Sequence, residues 1–288
     1  FGTGGQLLLQ AGGDLDRMLY VDNQATANDR STRLVAAPGA TLMLTRGIDI
    51  PRAYEYGGFA IQPYDAGAGS TRVVAAGARF GYLDLYLLGD GPAGTGQAEH
   101  LWTGVRGGLR KFAAGYDTLV SSRTTLSTDC DFGANWFDIA WTNAVVCITN
   151  NAIVHVYGQL RFVDGNASQL SLDGGTLYVN AFGVANANNQ HLSLRPVLFN
   201  GTVVAALSSS DLFMNLSESS ASPLIRNGGA IFDTQGYDVA IRGKGFAQEP
   251  GSSGAFVKRG AGVLKIAAPM SYTGQTLVSN GKLRLDLA

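Results

Sequence analysis

A glycine followed by a short alternation of apolar and polar residues recurs along this chain, and it limits the fold more than any other feature. It reads Gly175-Thr-Leu-Tyr-Val179, Gly229-Ala-Ile-Phe-Asp233, Gly262-Val-Leu-Lys-Ile266 and Gly281-Lys-Leu-Arg-Leu285. Looser copies run from Gly5 to Leu9 and from Gly39 to Leu44. Alternation with a period of two is the signature of a strand with one buried face. A glycine ahead of it supplies the backbone freedom of a corner. The copies stand about 20 to about 50 residues apart, which fits solenoid turns of roughly 20–25 residues carrying loop insertions of varying length.

Strand-like runs fill the spaces between these copies. Thr41-Leu-Met-Leu-Thr45, Arg72-Val-Val-Ala-Ala76, Tyr82-Leu-Asp-Leu-Tyr86, Ala144-Val-Val-Cys-Ile-Thr149, Ile153-Val-His-Val-Tyr157 and Gln169-Leu-Ser-Leu-Asp173 are all short and mostly alternating. No long segment has a 3.6-residue apolar period with caps. Gly107, Gly108 and Gly115 limit the stretch from Gly104 to Leu119 to one helical turn at most. A sandwich would use Asn-Gly as tight hairpin turns between adjacent strands. Here Asn200-Gly201, Asn227-Gly228 and Asn280-Gly281 precede strands at solenoid-like distances. The expected fold is therefore all-β: a right-handed parallel β-helix, or β-solenoid, with loop insertions. The expected organisation is a single β-helix domain over 1–288, a fragment or mature part of a longer chain. Residues 100–145 are expected to form an irregular excursion from it.

Composition excludes several classes. The chain has 288 residues with 39 glycines, 45% hydrophobic and 15% charged residues, so a core is available and disorder is not expected. A net charge of -1 offers no basic face for nucleic acid. No run approaches the roughly 20 apolar residues of a membrane helix, and no polybasic anchor is present. The chain opens on Phe1-Gly-Thr without a charged-then-apolar leader, consistent with a signal peptide removed or lying outside it.

The stretch Gly254-Ala-Phe-Val-Lys-Arg-Gly-Ala-Gly-Val-Leu-Lys-Ile266, with Tyr272, Gly274, Thr276, Val278, Gly281, Leu283 and Leu285 behind it, resembles the passenger-associated repeat of bacterial autotransporters and related surface proteins. Lys258, Gly260, Gly262, Leu264 and Ile266 carry the first half of that likeness. The segment Ile225 to Ile241 resembles the turn that leads into such a repeat, so the passenger-type region is taken as 225–287. Ser271, Gln275 and Arg259 stand where the family usually has Asn, Gly, and Thr or Ser. The resemblance implies a right-handed β-helix outside the cell and implies no chemistry. No series of roughly ten-residue amphipathic barrel strands occurs. Within the repeat, Phe256, Leu264, Ile266, Leu277, Leu283 and Leu285 are expected to stack inward. Lys258, Lys265, Lys282 and Arg284 are expected to face solvent. Gly260, Gly262, Gly274 and Gly281 would form corners, and Tyr272 would pack at a corner with its hydroxyl wet.

Candidate chemistry is sparse. Cys130 and Cys147 lack a CxxC partner or a four-ligand set, so a zinc or redox site is not expected. Their spacing is close to one short turn, leaving two readings open: a disulfide, which would imply an oxidising location, or two buried thiols. Asp129, Asp131 and Asp138, and Asp14 with Asp16, are the acidic groups that a β-helical glycan enzyme would need to cluster; solvated loop acids are the plainer reading. His100, His155 and His191 are far apart, and His155 lies in a strand. Asp131-Phe-Gly lacks the companions of a kinase site. Asn166, Asn200 and Asn215 head sequons without further support. Trp102, Trp136 and Trp141 offer a stacking surface for sugars or, more plainly, core packing. No catalytic residue, metal site or cofactor is expected. The expected protein is a non-enzymatic structural or adhesive stalk or passenger at a bacterial cell surface. Its expected partners are host or cell-surface glycans, or copies of itself joined head to tail. A filament or surface-layer subunit and a glycan-active lyase, hydrolase or tailspike are the competing readings.

Overall fold

The computed structural model describes strand segments from Gln6–Leu9 to Thr118–Ser121, and the stretches 123–140, 144–163, 167–184, 196–216 and 221–286. Side chains are described for 101–103, 124–139, 144–162, 167–183, 196–216 and 221–286. Among the described residues there is no helix, and each strand pairs in parallel with its counterpart on the next turn. The protein is a parallel β-solenoid.

Three columns of strands build it. The first runs from Gln6–Leu9 through Thr32–Ala36, Gly58–Pro63, Asp84–Leu87 and Thr118–Ser121 to Ser210–Asn215, Val239–Arg242, Val263–Ala267 and Lys282–Leu285. The second passes through Gly13–Leu15, Thr41–Leu44, Arg72–Ala76, Glu99–Thr103 and Arg123–Leu126 to Leu198–Phe199, Leu224–Ile225 and Ala247–Gln248. The third includes Arg79–Phe80, Arg106–Gly108, Val203–Ala206, Ala230–Asp233, Phe256–Arg259 and Thr276–Val278. In mid-chain the strands Val145–Val163 and Gln169–Val184 are long enough to pass through all three columns. They bend where the register shifts, between Asn150 and Ile153 and between Val156 and Gln159.

Parallel pairing in register explains the alternation in the sequence. Phe132, Val154, Leu177, Val204 and Phe232 pair in succession and are all buried. The first column contributes Phe137, Ile139, Leu160, Phe162, Phe182, Val239, Ile241, Leu264 and Ile266 to the same interior. Phenylalanines fill the wider part of it. Phe199 lies 5.0 Å from Phe246 and 5.7 Å from Phe232, and Phe256 lies 5.3 Å from Phe232. Each fully buried ring of this kind contributes roughly 1.5–3 kcal/mol relative to exposure.

Corners are tied from turn to turn by short polar side chains. Asn150 Nδ2 donates to Ser127 Oγ at 2.8 Å, and Asn151 Nδ2 donates to Asp129 Oδ1 at 2.7 Å. Asn200 bonds the Asp173 carboxylate and accepts from Gly228 N, and Asn227 accepts from Ser253 N. The asparagines therefore bond to Ser, Asp and backbone of the neighbouring turn rather than to one another. Partners across a turn are 22 residues apart at Asp129–Asn151 and 28 at Asn200–Gly228. The turn at Asp129–Asn151 falls within the expected range, and the one at Asn200–Gly228 exceeds it.

The structure corrects several expectations. Inside the stretch expected to leave the solenoid, Arg123–Leu126 and Asp131–Ala140 are strands in register with neighbouring turns, joined by a corner at 127–130. Leu277 pairs with Val257, an outward position, and is 47% exposed. Leu285 follows Ile266 in the inward set but is 60% exposed, since no further described turn covers it. Leu283 is half-buried against the core. Phe256, Leu264 and Ile266 are inward, as expected.

Lys258 is the largest correction. It pairs with Phe232, so its stem points inward, and it is 0% exposed. Its ammonium reaches the corner and donates to Gly260 O and Arg259 O at 2.7 Å, and to Thr234 Oγ1 and Asn280 O at 3.1 Å. One cation thus joins three consecutive turns. Glycines keep this corner tight: a Cβ at Gly262 would stand 1.9 Å from Tyr237 O, and one at Gly281 (φ +70) 2.3 Å from Gly260 O. Gly274 likewise lies against Gly254 O. Tyr272 stacks on Phe256 at 5.6 Å, and its hydroxyl meets Thr276 Oγ1 at 2.5 Å.

Candidate functional site

The outward side of the strands Asp131–Ala140, Val145–Val163 and Gln169–Val184 carries ring and charged side chains in mutual contact. Alternation along Val145–Val163 turns Val154, Val156, Leu160 and Phe162 inward. His155, Tyr157, Gln159 and Arg161 therefore point out, all half-buried. Parallel register places Tyr178 beside His155, and Trp136 beside Gln159.

The rings stack. His155 and Tyr178 are parallel within 5° with centroids 4.7 Å apart, close to the step of about 4.8 Å between paired strands. Tyr157 lies 5.9 Å from His155 at 16°. Asp131 Oδ1 stands 3.8 Å from His155 Nε2. On the adjoining column, Arg161 grips the Asp138 carboxylate through both oxygens, at 2.6 and 2.7 Å. Its guanidinium carbon also lies 4.2 Å from the centre of the Trp136 ring. Bidentate pairing and cation–π contact hold both Arg161 and Trp136 in place. At the corner between the two columns Asn180 donates to Tyr157 O at 2.5 Å and accepts from Ser208 at 2.7 Å.

The three tryptophans have separate fates. Trp102 is fully buried and packs edge-on against Phe132 at 5.5 Å, so it belongs to the core and offers no surface to a sugar. Trp136 stands on the flank. Trp141 lies outside the described residues, as do the side chains of Asp14, Asp16, His100 and His191.

No disulfide joins Cys130 and Cys147, so the disulfide reading gives way to two thiols. Cys147 is in register with Thr125 and Ser171, within a strand. Cys130 occupies the following corner, buried, with its thiol donating to Trp102 O at 3.2 Å. Burial pushes the Cys147 thiol above its ordinary range, and the nearby Asp173 carboxylate adds to this. Both effects favour the thiol over the thiolate, the form that reacts.

The acids do not converge. Asp129 sits at a corner with positive φ, bonded to Asn151; Asp131 faces His155; Asp138 is held by Arg161. Among the described residues no group of three or more His, Cys, Asp or Glu is placed to hold a metal ion. No described helix is long and apolar enough to cross a membrane.

The flank of stacked rings was only partly readable in sequence. Trp136 stood out by type, but Tyr157 and Tyr178 read as ordinary strand residues. The fold and this flank define a parallel β-solenoid with an aromatic outer ladder. No protein-family model, curated protein or solved structure matches the chain.

Proposed function

We propose that this chain is a non-enzymatic structural or adhesive protein of a bacterial cell surface, a β-helical stalk of the autotransporter passenger type. One observation carries the reading. The residues behind the passenger-repeat resemblance form a single interlocked unit. Lys258 joins three turns, Gly262 and Gly281 sit against the backbone of the turn before, and Tyr272 bridges Phe256 and Thr276. Such a unit stiffens a solenoid whose turns otherwise touch only their neighbours. A stiff, parallel stack with polar corner ladders is suited to hold an exposed surface away from a cell.

Display tests this directly. The chain is fused to an outer-membrane anchor and expressed on bacteria that do not adhere. Protease accessibility reports export, and counts of cells retained on host-cell monolayers report adhesion. Retention above an anchor-only control supports the proposal. Display without any gain in retention overturns the adhesive role. Rapid proteolysis throughout the displayed chain overturns the stalk.

A further inference from the structure

We propose that the flank bearing Trp136, His155, Tyr157, Tyr178 and Arg161 is a binding site for a neutral glycan chain. The inference rests on the adhesive reading above in naming its partner. Its physical basis is separate.

Aromatic side chains on a solenoid belong inside, where the described phenylalanines are found. Here three outward rings and an indole gather on neighbouring turns, half-buried, with polar groups around them. The arrangement is pre-organised. His155 is held between ring neighbours, Arg161 by both Asp138 oxygens, and Trp136 by Arg161. Side chains already fixed lose little entropy when a ligand lands on them. Rings with polar tips, set among amide and carboxylate groups, match a ligand that has apolar C–H faces and hydroxyls on one skeleton. That is a saccharide. The ladder step of about 4.8 Å is near the length of one pyranose unit, so successive sugars can meet successive turns.

Charge narrows the class. Arg161 is the one permanent cation of the set, and Asp138 already neutralises it. Asp131 adds a further carboxylate beside His155. Among the described side chains, a uronate polymer would bring its own carboxylates against these acids without an uncommitted arginine to receive them. A nucleic acid meets the same objection. Neutral hexoses or N-acetylhexosamines do not.

The test is binding of cellohexaose, maltohexaose, mannohexaose and the N-acetylglucosamine hexamer to the full chain, with polygalacturonate alongside. Calorimetry gives affinity, and tryptophan fluorescence reports contact near Trp136. At least one neutral hexasaccharide is expected to bind saturably. Tyr178→Ala and Trp136→Ala are each expected to weaken it at least about tenfold, or about 1.4 kcal/mol, while Tyr178→Phe retains most of the affinity. Melting curves identify any alanine variant that fails to fold, and His155→Ala then replaces it. No saturable binding by any neutral hexasaccharide overturns the proposal. So does binding of polygalacturonate alone, or neutral binding that survives every folded flank variant. A chain that adheres when displayed but binds none of these sugars retains the stalk reading and loses this one.

Discussion

Replacing Lys258 by methionine isolates the ammonium, because the apolar stem keeps nearly the same length and volume. In the wild type the ammonium makes four hydrogen bonds, two of them at 2.7 Å. Arg259 O also accepts from Thr234 N at 3.1 Å, and so remains partnered in the variant. Gly260 O and Asn280 O lose a charged donor. A buried acceptor left without its partner costs about 1–3 kcal/mol. Asn280 is exposed and recovers part of this from water. Against the loss stands relief from burying a cation. The net expectation for K258M is about 2–3 kcal/mol of destabilisation, concentrated in the turns from Thr234 to Asn280. Urea denaturation followed by circular dichroism measures the total. Hydrogen exchange locates it, with faster exchange expected at the Ser279 amide, which bonds Lys258 O at 3.0 Å. A variant as stable as the wild type, or more so, would refute the reasoning. It would mean that desolvation of the ammonium outweighs its four bonds. The pH dependence supplies a second check. Burial holds the Lys258 ammonium below its ordinary value of 10.5, opposed by Asp233 and Asp238. The unfolded chain then binds more protons in the window just below that value. The wild type should accordingly gain stability relative to K258M as pH rises through it.

Three further outcomes follow from the geometry. Thiol titration without reductant should find two thiols after denaturation and slow reaction of both before it; an intact disulfide would contradict the reduced pair seen here. Gly262→Ala should destabilise by more than about 2 kcal/mol in urea melts, since its Cβ would collide with Tyr237 O at 1.9 Å. Arg161→Met should cost about 1–2 kcal/mol, between the values for exposed and buried pairs, because Asp138 is buried and Arg161 only partly so; an unchanged urea midpoint would assign the pair to binding alone.

The alternation of Leu, Val and Ile after glycine is a local property, which is why the all-β class and the stacking of turns are readable from residues alone. Phe256, Leu264 and Ile266 fall on the buried parity in both sequence and structure. The same parity places Lys258 with Phe256 on the inside, but residue type argues the other way. Only the assembled corner resolves this, because the oxygens that receive the ammonium come from Thr234, Gly260 and Asn280, on three different turns. The cysteines depend on turn length in the same manner. Their spacing is near a short turn, yet the turns here are longer and set Cys147 beside Thr125 and Ser171.

The aromatic flank needed the most tertiary information. His155 meets Tyr178 because the register shifts at the corner between Asn150 and Ile153, while the shift between Val156 and Gln159 sets which residues Gln159 and Arg161 stand beside. A one-residue difference in the first shift would set His155 beside an inward-facing neighbour of Tyr178 instead. Composition and periodicity therefore determined that strands would stack around an apolar interior. Register, which is set by corner geometry and by packing between turns, decided which side chains meet on the outside.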